Sequence, residues 1–372
     1  MAKSLLKQKR ELAFVVYLII VILFFVIAKG HSRTFSASRD YRGEMKDFIK
    51  GISVYAKGLD DNFMIIPQNG HELLTTNGEA TGEPSNNYIM AIDGVGREDL
   101  FYGYSEDNVA TAAAERDTIL AFMDIAEANG VEVLVTDYCW TQSLVDDSYS
   151  QNAAKSYISF AADHRDLDSI PLYPEVPYNA NSLDIASLNQ TRNFLYLLDS
   201  SAFSSKGTFL DALRATNYDL LIIDLFYDGK PLTFAEVASL KAKANGGTRL
   251  VIAYMSIGEA EDYRYYWQKE WESHAPAWLA EENPDWEGNY KVRYWDSDWQ
   301  NIIYGNDGSY AKKIINAGFH GVYLDIIDAF EYFEEAKDEN QGSNEIPGFL
   351  LISSLGILVL SVIIGKKKGN NC

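Results

Sequence analysis

Carboxylates recur in this chain at the ends of short apolar runs. Asp93 with Glu98 beyond it, Asp137, Asp199, Asp224, Glu259, and Asp325 with Asp328 all stand there, and Gln68, Asn69 and Tyr138 hold similar positions. Taken singly, such a residue is as well suited to capping the next helix or bonding a loop amide. So many acids in one kind of position are harder to assign wholly to capping. Two carboxyl groups are what glycoside hydrolysis needs. One, protonated, gives its proton to the leaving oxygen, and the other acts as nucleophile or as base for water. A separation of about 5 Å goes with a retaining reaction and about 6.5–9.5 Å with an inverting one. Sequence gives neither that distance nor which carboxylate takes which part.

Other chemistries find less support. The chain has no Gly-x-Ser-x-Gly elbow and no Walker loop. His31, His71, His164, His274 and His320 are scattered without zinc-ligand spacing, which weighs against a metal-dependent deacetylase, and no cofactor or metal is expected. The stretch DGVGRED (93–99) has two close glycines but fails the dinucleotide pattern at the third. A formal charge of −21 argues against a nucleic-acid partner and suits a solvated surface or a cationic ligand. Cys139 and Cys372 offer no disulfide framework, and Cys139 reads as a buried thiol. Six of the seven tryptophans (Trp267, Trp271, Trp278, Trp286, Trp295, Trp299) cluster with Tyr263, Tyr265, Tyr266, Tyr290 and Tyr294. Such rings can stack on sugars or build a core for a large loop. Both uses are expected, with two or three rings facing ligand.

Eight near-continuous apolar runs must position these groups: 63–69, 88–94, 131–138, 156–162, 193–199, 218–224, 249–259 and 321–328. Runs of this kind suit parallel strands covered on both faces. Helical patterns lie between them. One runs over 107–130 and ends on Gly130; another opens with Thr233 and Glu236 in capping-box spacing. The spacing predicts an α/β protein, a (β/α)8 TIM barrel, with a doubly wound open sheet as the alternative. No repeat of 20–50 residues is visible.

The chain begins and ends with apolar runs, 12–28 and 349–364, flanked by Lys3, Lys7, Lys9 and Arg10 and by Lys366, Lys367 and Lys368. The first reads as a membrane anchor or a signal peptide, the second as a transmembrane or sorting tail. With both basic flanks on one side, the residues between them are expected outside the cell, where the sequon Asn189-Gln190-Thr191 would be usable. The expected organisation is therefore 1–30 leader or anchor, 31–335 barrel, 336–346 linker and 347–372 tail, a cell-surface protein held by the membrane.

The blocks YMSIGEAEDYRYYW (254–267), GNYKVRYW (288–295) and GFHGVYLDIIDAFEYF (318–333) resemble archaeal and bacterial extracellular glycosidases related to endo-α-1,4-polygalactosaminidase, the glycoside hydrolase family 114-like TIM barrels. IIPQNG, EDLFYGY, VLVTDY and NFLYLLD match as well, so the likeness covers roughly residues 40–335. It implies an endo-acting hydrolase of an amino-sugar polysaccharide. By motif, it places the catalytic pair on Asp325 and Glu98, with Glu259 in reserve. Ser256, Gly258, Glu261 and Arg264 carry the family's Ser-x-Gly…Glu-x-x-Arg signature. The signature would shape the sugar site, and Glu261 and Arg264 with Gln68, Asn69, Asp137, Tyr138, Asp224, Tyr254, Tyr294, Trp295 and Asp328 are the expected substrate-binding residues. The PGF that opens the tail (347–349), with the lysines after it, resembles the sorting tails of archaeal surface proteins. One departure stands out: the block YLDIID comes last here, whereas in the family it precedes IIPQNG. Joining residue 335 to residue 40 restores that order, as in a circular permutant cut on the catalytic face. A carbohydrate-binding surface protein that keeps the barrel without catalysis is the alternative reading.

Overall fold

The computed structural model describes residues 39–335. Eight parallel strands carry the fold: β1 (Met64–Pro67), β2 (Gly94–Glu98), β3 (Glu132–Tyr138), β4 (Ile158–Ala162), β5 (Phe194–Leu197), β6 (Leu220–Asp224), β7 (Leu250–Ser256) and β8 (Gly321–Asp325). One sheet runs in the order β1-β8-β7-β6-β5 and another in the order β2-β3-β4. Parallel bridges Gln68↔Gly96 and Ser159↔Asn193 join them at both margins. Each of the eight strands thus has a parallel neighbour on either side. This α/β architecture of parallel sheets is compatible with the expected barrel. The strand residues are buried almost throughout, as the apolar runs require.

One strand lies elsewhere than expected. The run 88–94 enters a short helix, Asn86–Ile89, and the strand is GVGRE, residues 94–98. Two glycines make that strand look like a loop in sequence, and packing explains them. A Cβ on Gly96 would stand 1.9 Å from the Tyr323 hydroxyl, and one on Gly94 would crowd the Glu132 carbonyl at 3.1 Å. Asp93 accordingly sits before β2, where it accepts the Ile65 amide and pairs with Lys57, and Glu98 is the true strand end. The runs 249–259 and 321–328 are also shorter as strands, ending at Ser256 and Asp325.

The helix Tyr41–Lys57 precedes β1 and buries Met45, Phe48, Ile49, Ile52, Ser53 and Ala56, a stripe at helical spacing. Asp40 caps it through the Gly43 amide at 2.9 Å. The helix Ala113–Ala128 is closed by Gly130 at φ +76, and Phe234–Leu240 opens with the expected Thr233–Glu236 capping box. Between β4 and β5 the chain makes a long excursion with one short 3-10 turn, Leu188–Gln190. It is pinned by a fully buried Lys243–Asp219 pair at 2.8 Å, to which Asn181 bonds. The β7–β8 connection carries a three-stranded antiparallel sheet of Glu259–Glu261, Asn289–Val292 and Leu279–Glu282. Its tryptophans form much of its core, with Trp267, Trp271, Trp278 and Trp299 in successive ring contacts of 5.0–5.2 Å.

The first and last described residues meet. Arg42 pairs with Glu334 at 3.1 Å, and the Tyr41 and Phe333 rings lie 5.6 Å apart. The apolar runs 12–28 and 349–364 and the linker 336–346 lie outside the described residues. Among the described residues no helix is long and apolar enough to cross a membrane.

Candidate active site

Strand β2 ends on Glu98 and β8 on Asp325, with β1 paired to both. Neighbouring strands lie about 4.8 Å apart, so the two backbones are separated by about 10 Å, a gap that side chains can bridge. Both carboxylates open into one cavity of about 640 Å³ at the carboxyl ends of the strands. Three donors converge on Glu98: Gln68 Nε2 at 2.5 Å, Asn69 Nδ2 at 3.0 Å and the Tyr138 hydroxyl. Gln68 is itself oriented by the Tyr196 hydroxyl, which donates to its Oε1 at 2.9 Å. The Arg165 guanidinium lies 3.9 Å over the Tyr138 ring and pairs with Asp99 and Asp107. Glu98 is thus fixed by side chains from β1 and β3 and, at one remove, from β5 and the loop after β4.

Asp325 has a different setting. Its Oδ2 accepts from the Tyr254 hydroxyl at 2.7 Å and its Oδ1 from the Ile326 amide at 2.8 Å. Burial, reinforced by the charge of Glu98, pushes its carboxyl up to about 7. Burial likewise pushes Asp328 up to about 6. The backbone turns sharply where these groups emerge, with Asn69, Asp99 and Ile326 at φ +60, +61 and +56. Asn and Asp tolerate that region, whereas a β-branched isoleucine there is strained by on the order of 1–3 kcal/mol. The signature glycine explains how Ile326 is held. A Cβ on Gly258 would stand 2.0 Å from the Ile326 carbonyl oxygen, so only glycine lets the β7 loop press against the turn after Asp325.

The rest of the signature makes an ionic frame. Arg264 donates to Asp224 Oδ2 at 2.6 Å and to Glu261 at 2.5 and 3.1 Å, and the Tyr263 hydroxyl donates to Glu261 at 2.6 Å. Glu259 also reaches the cavity wall. It is bound by Lys291 Nζ at 2.6 Å and Asn283 Nδ2 at 2.8 Å, which ties it to the insertion sheet and leaves Asp325 as the less neutralised acid. Among the described residues, no group of His, Cys, Asp and Glu is arranged to hold a metal ion.

Of the residues expected from sequence, the cavity gathers Asp325, Glu98, Glu259, Gln68, Asn69, Tyr138, Asp224, Tyr254, Glu261, Arg264 and Asp328. Three lie elsewhere. Asp137 is fully buried behind the wall, where it accepts from the Phe101 and Tyr102 amides, Ser148 and Asn152. It is an internal bracket for the loop after β2, because alternation along β3 turns it away from the side that Tyr138 faces. Tyr294 is buried with its hydroxyl on the Tyr41 carbonyl, and Trp295 packs between Tyr41 and Phe333. Both fasten the first and last described segments together. Sequence reasoning missed Arg165 and Tyr196, which stand respectively in a loop and mid-strand without any motif. From the aromatic cluster, Tyr263 and Trp286 face the cavity and are 59% and 54% exposed, while Trp278 and Trp299 are core.

Residues 186–351 match the sequence model of glycoside-hydrolase family GH114. Over that stretch the chain is GH114-like. The GH114-like stretch holds Asp224, Glu259, Glu261, Arg264, Asp325 and Asp328, whereas Glu98 precedes it. An uncharacterized protein of Methanocaldococcus jannaschii is 40% identical over 173 residues, 46% of this chain and 48% of that protein. Uncharacterized proteins of Thermotoga maritima and Deinococcus radiodurans are 38% and 46% identical over 123 and 125 residues. Those matches take in 33% of this chain, and 36% and 38% of the relatives. The chain thus spans about half or less of the curated relatives it matches.

Proposed function

We propose that this protein is a GH114-type glycoside hydrolase with a (β/α)8 barrel, in which Asp325 is the general acid and Glu98 the nucleophile or base. The observation that carries the reading is the contrast between the two carboxyls in one cavity. Asp325, pushed up to about 7, keeps its proton near neutral pH and has one to give to a glycosidic oxygen. Glu98 is met by three donors, the arrangement of an acceptor with negative charge to share. Pairs of acids whose surroundings differ in this way are what glycoside cleavage uses. The exposed rings of Tyr263 and Trp286 supply flat apolar area for a sugar at the cavity rim. Arg264 is already neutralised by Asp224 and Glu261, so the cavity's remaining charge is acidic and favours an amino-sugar polymer.

Endo-action is supported by a second cavity that adjoins the first and shares Asn69 and Asp328 with it, which gives a chain room to extend beyond the acids there. Cell-surface placement, with the barrel outside and the membrane as partner, is supported by the basic-flanked apolar runs 12–28 and 349–364. The test is incubation of the purified full chain with amino-sugar and neutral polysaccharides, counting new reducing ends. Release from an amino-sugar polymer is expected, with a loss of 10²-fold or more in Glu98→Gln. Full activity in that variant excludes Glu98. Binding of a polymer without release from any would favour the non-catalytic alternative.

A further inference from the structure

Strand β2 presents adjacent residues to two different spaces. Glu98 lines the first cavity, while Arg97 lines a second of about 540 Å³ beside the helix Ala113–Ala128. Arg97 is 9% exposed and, among the described residues, pairs with no carboxylate. Its Nη1 donates to Asn69 Oδ1 at 3.3 Å and faces His71 Nδ1 at 3.4 Å, while its Nε is buried without any partner. His71 adds no charge, because burial and Arg97 hold it down at about 3. Glu115, in the lining of the same cavity, has a buried and unpartnered Oε2, and Glu72, Asp328 and Glu331 stand in that lining too. Tyr104 adds a half-exposed ring.

A buried guanidinium that lines a cavity, bonded in the protein through Nη1 alone, invites a ligand acceptor, since leaving its donors unsatisfied is costly. Three substituents of sugar polymers differ in how they meet this wall. A uronate carboxylate would satisfy Arg97 but meet four carboxyl groups. A free ammonium would suit those carboxyls but meet Arg97. An acetamido group carries one acceptor, one donor and no net charge. We propose that this second cavity is a saccharide subsite that takes the N-acetyl group of an amino-sugar unit, its carbonyl oxygen accepting from Arg97 and its N–H donating to the carboxylate wall at Glu115. The Tyr104 ring offers the sugar a face on which to stack. The polymer would then be read at two places, with an acetylated unit recognised one step away from the acids. The glycosidase reading supplies the idea of a sugar chain, but the binding itself does not depend on cleavage.

The experiment is calorimetric titration of full-length Asp325→Asn protein with an N-acetylgalactosamine tetramer and with its de-N-acetylated form. Two further variants are built on that background: Arg97→Gln removes the donor, and Thr118→Trp fills the cavity from an exposed helix position. Each is expected to weaken the acetylated tetramer at least tenfold and the de-N-acetylated one less than threefold, with melting curves unchanged. Equal losses for both tetramers, a larger loss for the de-N-acetylated one, or no binding of the acetylated tetramer to the parent would overturn the assignment. Because binding is read without turnover, wild-type protein that cleaves no polymer while showing this pattern would refute the glycosidase and leave the subsite standing.

Discussion

Asp325 keeps its proton to about 7 in the folded protein, whereas an aspartate in an unfolded chain titrates near about 3.9. Between those values the native state binds the proton that the unfolded state has lost. Stability therefore falls as pH rises from about 4 to about 7, and Asp328 and Glu331, pushed up to about 6 and about 7, add to the trend. Asparagine in place of Asp325 removes that cost. Asp325→Asn is expected to melt a few degrees above wild type at pH 8 and together with it at pH 4. The cavity admits solvent, so the gain is on the order of 1–2 kcal/mol rather than the full value of the shift. An identical difference at both pH values would contradict the assignment. Strand-end acids were legible because a carboxylate after an apolar run is conspicuous. The direction of Asp137 and the reach of Arg165 and Tyr196 depend on strand alternation and loop path, which composition does not encode.

At the level of elements, the strands with continuous β-branched and aromatic runs could be read directly, because parallel strands buried on both faces need such sequences. β2 could not, since its Gly96 answers to Tyr323 in β8, a contact more than two hundred residues away in sequence, and its Gly94 to the Glu132 carbonyl in β3. The turns that aim the acids were equally hidden. Nothing in the string Leu324-Asp325-Ile326 announces a left-handed isoleucine, and Gly258, which makes room for it, stands in another strand's loop. The β7–β8 insertion was legible as an aromatic cluster. Its division of labour, Trp278 and Trp299 inward and Trp286 outward, follows from how three short strands pair, which sequence spacing did not reveal.

Over the described residues, the helix Tyr41–Lys57 leads into β1, which pairs with β8, and Arg42–Glu334 and Tyr41–Phe333 fasten the start of that helix to the segment that follows β8. We propose that this reflects a circularly permuted order of family blocks, with the cut close to the catalytic acids. Linking residue 335 to residue 40 and opening the chain in the β4–β5 excursion should then give a protein with the wild-type circular dichroism spectrum and the same cleavage activity. An insoluble or inactive product would argue that the present ends are required by the fold. If the apolar runs anchor the chain, this arrangement sets the acids near the membrane-side rim, since the described ends lie just beyond Asp325.

The central claim, that Asp325 donates the proton and Glu98 does not, is tested most directly with leaving groups of different acidity. The substrates are the polymer that the wild type cleaves and the dinitrophenyl glycoside of the same sugar, whose phenolate departs without a proton. Asp325→Asn is expected to lose 10²-fold or more on the polymer and little in bond cleavage on the dinitrophenyl glycoside, whereas Glu98→Gln loses both. Equal losses on both substrates in Asp325→Asn, or a Glu98→Gln enzyme that still cleaves the dinitrophenyl glycoside at the wild-type rate, would contradict it.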